Sequence, residues 1–230
     1  MQPSVTTPLV APSVLGGETS RVELDHVLIA VGDLSAAASV LEGRYGLTSI
    51  EGGRHPGWGT ANRVVPLGAA YLELVAVVDH AQASKSAFGS WVAHGSSDSL
   101  RPLGWAVRTD DLDAVATRLH LAVAAGSRET RDGRRLQWRL AGVEQSAAQP
   151  TLPFFIQWEQ ETPLPGSAPV QHAAGEVAIR NLRLTGDADH LAAWLGEHRI
   201  PLSVRRGEPA LTAVVLATGD GDIVLTHDLP

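Results

Sequence analysis

Residues 25–41 read DHVLIAVGDLSAAASVL, and residues 103–119 read LGWAVRTDDLDAVATRL. Each stretch opens on an apolar run, passes through an Asp and closes on apolar residues at helical spacing. In the first, Val27, Ile29 and Val31 alternate with Leu28 and Ala30, as in a strand buried on both faces. Asp33 is placed to cap a helix in which Leu34, Ala37, Ala38 and Leu41 share a face, and Gly46 suits its end. In the second, a strand over Gly104–Arg108 leads to Asp111, then to Leu112, Val115 and Leu119. Asp111 lies 78 positions after Asp33 (111 − 33), so this is a repeat of a whole structural unit.

The strands beyond each helix repeat too. After the first helix, strands are expected near Thr48–Ile50, Thr60–Leu67 and Tyr71–Val78. After the second, they are expected at Ser127–Thr130, at Arg134–Leu140 beyond a turn at Asp132–Gly133, and in FFIQWE from Phe154. Both copies are therefore βαβββ. A third, shorter copy, AIRNLRLTGDADHLAAWLG at 178–196, sets Gly186–Asp187 on Gly32–Asp33. Strands near Ile200–Arg205, Ala210–Ala217 and Asp222–Thr226 complete it.

The predicted organisation is a loose tail over 1–21, paired modules over 22–159 (22–78 and 103–159), a linker over 160–174 and a third βαβββ-like module over 175–230. The linker is rich in proline and glycine, and a connector over roughly 80–100 carries a short helix around Trp91. The third module is expected to pack on the pair or on a partner chain, the latter making a homodimer.

Composition narrows the function classes. Of 230 residues, 44% are hydrophobic and 19% charged, which excludes a disordered chain. A net charge of −7 argues against nucleic acid as a partner. The absence of cysteine removes disulfides, thiolate nucleophiles and Cys-type zinc sites. Residues 1–20 hold no Lys or Arg and are interrupted by proline, unlike a signal peptide, and no stretch approaches the ~18 apolar residues of a membrane span. A cytoplasmic protein with a small-molecule ligand and no membrane partner is expected.

The tandem βαβββ units resemble the vicinal-oxygen-chelate superfamily, as do the opening LDHVLIAVGDL, the closing YLELVAV and the GGRHPGWGTAN between them. Within it they resemble the glyoxalase-like domain branch. The resemblance implies an α+β fold in which two modules form a cupped, incomplete barrel. Enzymes of that superfamily usually hold a divalent metal in the cup, with one ligand from the first and one from the last strand of each module. His26 and Glu73 fall on those positions in the first module, Gly104 and Gln157 in the second, and Arg180 and Val224 in the third copy.

These positions allow two versions of the site. In one, Zn, Fe, Ni or Mn is held by His26, Glu73 and Gln157. In the other, slightly favoured, His26 and Glu73 form a metal-free pair that serves as catalytic base. Gly104 is expected to leave room for substrate or water. GGRHPGWGTANRVVPLG, residues 52–68, lacks both P-loop and dinucleotide-fingerprint spacing. In the resembled architecture it borders the cup, so His55, Trp58, Thr60 and Asn62 become substrate-binding candidates, with Trp58 as a core plug the alternative. Tyr71, Trp105 and Gln157 are further substrate-binding candidates; Trp158 is an aromatic that suits either the site or the core. Arg135 and Arg139 are a weaker pair for an anionic group. Asp111 and its neighbours in TDDLD read as helix capping, and GDGD at 219–222 as a hairpin turn. The activity implied is a small-molecule lyase or isomerase of unknown substrate; the alternative is a non-catalytic sequestering protein of the bleomycin-resistance type.

Overall fold

The computed structural model describes residues 22–129, 133, 135–160 and 162–226. The tail over 1–21, Asp132 of the expected turn, Thr130 and Arg134 at the expected strand ends, and residues 227–230 lie outside the described residues.

The first repeat contains β1 (Glu23–Ala30), α1 (Leu34–Tyr45), β2 (Ile50–His55), β3 (Thr60–Pro66) and β4 (Tyr71–Val77). A connector carries α2 (His80–Ala83) and α3 (Ala87–Gly95), the helix expected around Trp91. The second repeat contains β5 (Pro102–Arg108), α4 (Leu112–Leu119), β6 (Val123–Glu129), β7 (Arg135–Ala141), α5 (Val143–Ala148) and β8 (Phe154–Trp158). The chain ends with β9 (Ala178–Thr185), α6 (Ala188–Leu195), β10 (Leu202–Arg205), β11 (Ala210–Thr218) and β12 (Gly221–Thr226).

Each repeat starts its helix in the same way. Asp33 accepts from the amides of Ser35 and Ala36, Asp111 from Ala114, and Asp187 from Asp189 and His190. These bonds satisfy amides that the first helical turn leaves without partners. The His190 amide in particular holds the Asp187 carboxyl below its ordinary range.

The first two repeats make one cup, in the ring order β1-β4-β3-β2-β6-β7-β8-β5. β1 lies parallel to β4, and β5 parallel to β8, so both halves have the same internal order. The halves join along an extended antiparallel β1–β5 contact. On the other side the gap of the cup narrows to a seam, where Arg54 opposite Glu129 is the paired position between β2 and β6.

Strand alternation divides the core. Val27, Ile29, Leu72, Trp105 and Val107 face outward onto α1, α4 and the C-terminal sheet. Leu28, Val75, Trp138, Leu140, Phe154 and Ile156 face into the barrel, and Phe88, Trp91 and Val92 of α3 pack among them. The C-terminal sheet has the expected element order but its own pairing, β10-β9-β11-β12. After α6 the chain returns directly beside β9, in parallel, rather than leaving that place to the last strand. Leu182, Leu184, Leu211 and Val214 of this sheet share the outer core with the barrel, so the third unit packs on the pair.

The glycine-rich stretch is more regular than its composition suggests. β2 extends to His55, well beyond the expected Thr48–Ile50. A Cβ on Gly52 would lie 2.0 Å from Asn62 Oδ1, and one on Gly53 would lie 2.1 Å from the Glu129 carbonyl. These glycines therefore serve close strand approach, with a bulge between Glu51 and Gly53, and not a loose loop. The turn is only Pro56–Gly59, closed by the Trp58 amide donating to the His55 carbonyl at 3.0 Å. β6 likewise starts at Val123, ahead of the expected Ser127, and α5 interrupts the β7–β8 connection. GDGD forms the expected β11–β12 hairpin, with Thr218 opposite Gly221.

Candidate functional site

Side chains from both halves enclose a cavity inside the barrel. Its volume is only about 20 Å³. The cavity is narrow, with free room for a water or two.

β1 supplies His26 and β4 supplies Tyr71 and Glu73, all pointing inward. His26 Nε2 lies 3.3 Å from Glu73 Oε2, and both side chains are nearly inaccessible to solvent. The other imidazole nitrogen, Nδ1, lies 2.6 Å from Asp25 Oδ1. Asp25 and His26 are sequence neighbours, and neighbours on a regular strand face opposite sides. A bulge in β1 against β5, between Leu24 and His26, brings both carboxylate and imidazole to the interior. The result is a row, Asp25–His26–Glu73, in which one carboxylate fixes the ring and the other meets its far nitrogen.

The row is tied down at both ends. Trp158 Nε1 donates to Asp25 Oδ2 at 2.9 Å, and Asn62 Nδ2 donates to Glu73 Oε1 at 2.7 Å. Tyr71 stacks on the His26 ring with centroids 4.7 Å apart. Burial, then the nearby charges of Asp25 and Glu73, push the Tyr71 phenol well above its ordinary range, so it stays protonated and bonds to Asp25. His55 also faces the cavity, its Nδ1 2.9 Å from Thr60 Oγ1. Burial lowers its pKa to about 3, helped by the positive fields of Arg128 and His26, so at neutral pH it is an uncharged ring. It sits among Trp58, Phe88 and Trp138, with centroids 5.5, 6.4 and 5.9 Å away.

Of the expected site residues, His26, Glu73, His55, Trp58, Asn62, Tyr71 and Trp158 line this one cavity, and Thr60 stands behind His55. Gln157 and Trp105 do not. Gln157 lies on the outer side of β8, its Oε1 accepting from Arg139 and its Nε2 donating to the Asp110 carbonyl. Arg139 is engaged there by Asp113 and Gln157, and Arg135 reaches Ser127, so neither is turned to the cavity. Trp105 is fully buried in the outer core and donates to the Thr151 carbonyl.

Strand register explains the first miss. Leu28 is opposite Glu73, and Ala106, its counterpart 78 positions on, is opposite Phe154. The position matching Glu73 is therefore Phe154, three residues before Gln157, and an odd slip turns a side chain to the other face. Gly104 does match His26, but the space it leaves is not open. A Cβ there would lie 2.5 Å from the Trp91 ring, which fills the place of the missing side chain.

The donor set can now be tested against a metal. His26 Nε2 and Glu73 Oε2 converge, but Asp25 meets the opposite ring nitrogen and Glu73 Oε1 is held by Asn62. The facing half offers Phe154 and Trp91. Among the described residues no group of three or more His, Cys, Asp or Glu side chains could hold a metal ion. Two converging donors fall short of the three or four that divalent sites of this type use, so the residues do not fit a resident metal. Asp25, Arg128, Trp138 and Phe154 were not anticipated from sequence. The one available signal was an Asp beside a His at the head of an otherwise apolar strand.

A sequence profile of the family described as "Glyoxalase-like domain" matches residues 24–198. Among curated protein sequences none matches the chain. A hypothetical protein from Staphylococcus aureus has a similar structure, with a TM-score of 0.69 at 16% identity over 87% of this chain and 92% of that one. That share exceeds what the barrel alone provides, so the likeness of fold reaches into the C-terminal sheet. A Streptomyces coelicolor methylmalonyl-CoA epimerase in complex with 2-nitronate-propionyl-CoA scores 0.44 at 21% identity, over 61% of this chain and 98% of its own. The epimerase from Mycobacterium tuberculosis scores 0.40 at 21% identity, over 65% and 91%. No helix among the described residues is long and apolar enough to cross a membrane.

Proposed function

The chain belongs to the glyoxalase-like domain family, with the vicinal-oxygen-chelate fold, and on that premise we propose that its cavity is a metal-free acid–base site for a small carbonyl compound. The observation that carries this reading is the 3.3 Å contact between His26 Nε2 and Glu73 Oε2 inside the cavity, with Asp25 holding Nδ1. With Nδ1–H donated to Asp25, Nε2 presents a lone pair to a carboxylate oxygen. Two acceptors repel, so the contact requires a proton between them. That proton is the one the site can give or take.

At 3.3 Å the contact is long for a hydrogen bond, and such bonds commonly tighten when a substrate arrives. The step is proton transfer at a carbon next to a carbonyl. With the shared proton on His26, the Glu73 carboxylate takes the C–H proton and the electron pair moves into the carbonyl to form an enolate. Then either a proton returns to carbon, or the enolate collapses with cleavage of the bond to a β-substituent, which leaves with the proton. The first outcome is an isomerase and the second a lyase. Asp25 and Asn62 are positioning residues, holding the ring tautomer and the carboxylate orientation.

The test is solvent exchange. Short 2-oxo acids, 1,3-dicarbonyls and 2-hydroxyketones are incubated with the protein in D₂O, and loss of the C–H signal is followed by proton NMR. The reading expects exchange with at least one class, abolished by His26→Ala and by Glu73→Gln. Exchange in none of them, or exchange indifferent to both substitutions, overturns it. The non-catalytic binding reading is favoured by one observation, the second half of the cavity, where Trp138, Leu140, Phe154 and Ile156 offer apolar area and no proton-transfer group. Binding without exchange would select it.

A further inference from the structure

Arg128 is unlike the other arginines of the barrel. It lies on β6, is 6% exposed, and lines the same cavity as His26 and Glu73. Its Nε is buried with no hydrogen-bond partner, and the ion pairs described for the barrel do not include it. By contrast, Arg108 pairs with Glu23, Arg139 with Asp113, and Arg63 bonds to Ser49.

A guanidinium cannot shed its proton to escape burial, so an unpaired one in the interior is costly unless an anion meets it. Among the described residues, the carboxylates of the cavity are engaged by other partners. Asp25 Oδ1 is taken by His26 and Oδ2 by Trp158; Glu73 Oε1 is taken by Asn62, and Oε2 faces His26. The backbone, meanwhile, is shaped to admit the arginine. Gly53 sits at φ +148°, and a Cβ there would come within 2.8 Å of Arg128 Cγ. The same cationic field contributes to keeping His55 uncharged, which leaves Arg128 without a like charge on that neighbouring ring.

We infer that Arg128 is an anion-recognition residue of this cavity and that the ligand it selects is a compact carboxylate with an apolar body. The planar fork of a guanidinium matches the two oxygens of a carboxylate. Trp138, Leu140 and Phe154 receive the apolar part, and because the void as it stands admits only a water or two, a ligand of a few carbons enters as half-buried Trp58 moves aside. This inference rests on the cavity being the functional site and adds the substrate class. A carboxylate held at Arg128 places its own carbon chain beside the His26–Glu73 pair.

Butyrate, butyramide and inorganic phosphate are titrated against the wild type, Arg128→Gln and Arg128→Met, with binding read by calorimetry and by melting temperature. Butyrate is expected to bind the wild type and raise its melting temperature in a concentration-dependent way, while butyramide and phosphate do not. Both variants are expected to melt no lower than the wild type without ligand, since an unpaired buried charge is removed. They should also bind butyrate at least ~30-fold more weakly. No butyrate binding, equal binding of butyramide, tighter binding of phosphate, or undiminished butyrate binding by the two variants each overturns the inference. A variant that melts well below the wild type makes Arg128 structural and overturns it as well. The two proposals fail separately. Butyrate binding at Arg128 without carbon-acid exchange removes the acid–base reading alone, and exchange without butyrate binding removes the anion site alone.

Discussion

Where the first half of the barrel carries His26 and Glu73, the second half carries Gly104 and Phe154. The backbones correspond strand for strand, yet the first interior carries the acid–base row and the second is apolar except for Arg128 on β6. Duplication lets the two halves specialise. One wall holds the Asp25–His26–Glu73 row, while the other excludes water and so strengthens every charge interaction within the cavity. A site with a ligand from every corner would hold a metal. This one has groups suited to proton transfer on one side only, as the proposed acid–base role requires.

If the halves are divided in this way, substitutions in the first half's row should cost activity and substitutions of the second half's apolar side chains should cost stability. The largest effect is expected for Glu73→Gln. It keeps shape and removes the charge, and should slow carbon-acid exchange by ~10²–10⁴-fold with little change in melting temperature. Comparable losses of both would show that Glu73 is mainly structural. Phe154→Ala, the matching position of the other half, should lower unfolding free energy by about 3–5 kcal/mol in urea melts, since it opens a void in a packed interior. A mild effect, below about 1 kcal/mol, would mean that this wall is not the apolar support described here.

The register behind this division was only partly legible from sequence. The Asp caps and the repeated strand–helix start arise from periodicity and local turn chemistry, whereas His26, Glu73, His55 and Asn62 are placed at the site by the resemblance to the superfamily. Gln157 misled because α5 breaks the β7–β8 connection, where the first half has a short turn between β3 and β4. A length difference of that kind hides the register, and a slip of three residues then reverses the face. Asp25 escaped notice because its inward direction depends on a bulge. Arg128 was concealed in the short strand expected before the Asp132–Gly133 turn, where nothing in the sequence pattern marks its inward direction. The third unit shares its element order with the other two, so its different strand pairing leaves no trace in the sequence pattern.

A smaller effect sharpens the comparison through pH. The folded-state pKa of His55, about 3, lies below its unfolded value of 6.5, so the unfolded chain binds the extra proton over that window. Stability from this group is fully present above pH 6.5 and is lost as pH falls toward 3. Between pH 6.5 and 5 the loss should be about 2 kcal/mol, and His55→Gln should flatten that part of the curve. An unchanged slope would mean that His55 titrates freely and does not sit sealed against Trp58 and Trp138. The smallest effect belongs to Gln157→Leu, on the outer side of β8. It removes hydrogen bonds to Arg139 and Asp110, costs about 1 kcal/mol in stability, and leaves exchange unchanged. A tenfold fall in exchange would return Gln157 to the site.

The most direct test of a one-sided, metal-free site is carbon-acid exchange in D₂O by protein dialysed against a strong chelator. The expected result is exchange at the undialysed rate, with no gain on adding Zn, Fe, Ni or Mn. Exchange that disappears on dialysis and returns with about one equivalent of a divalent metal per chain would contradict it.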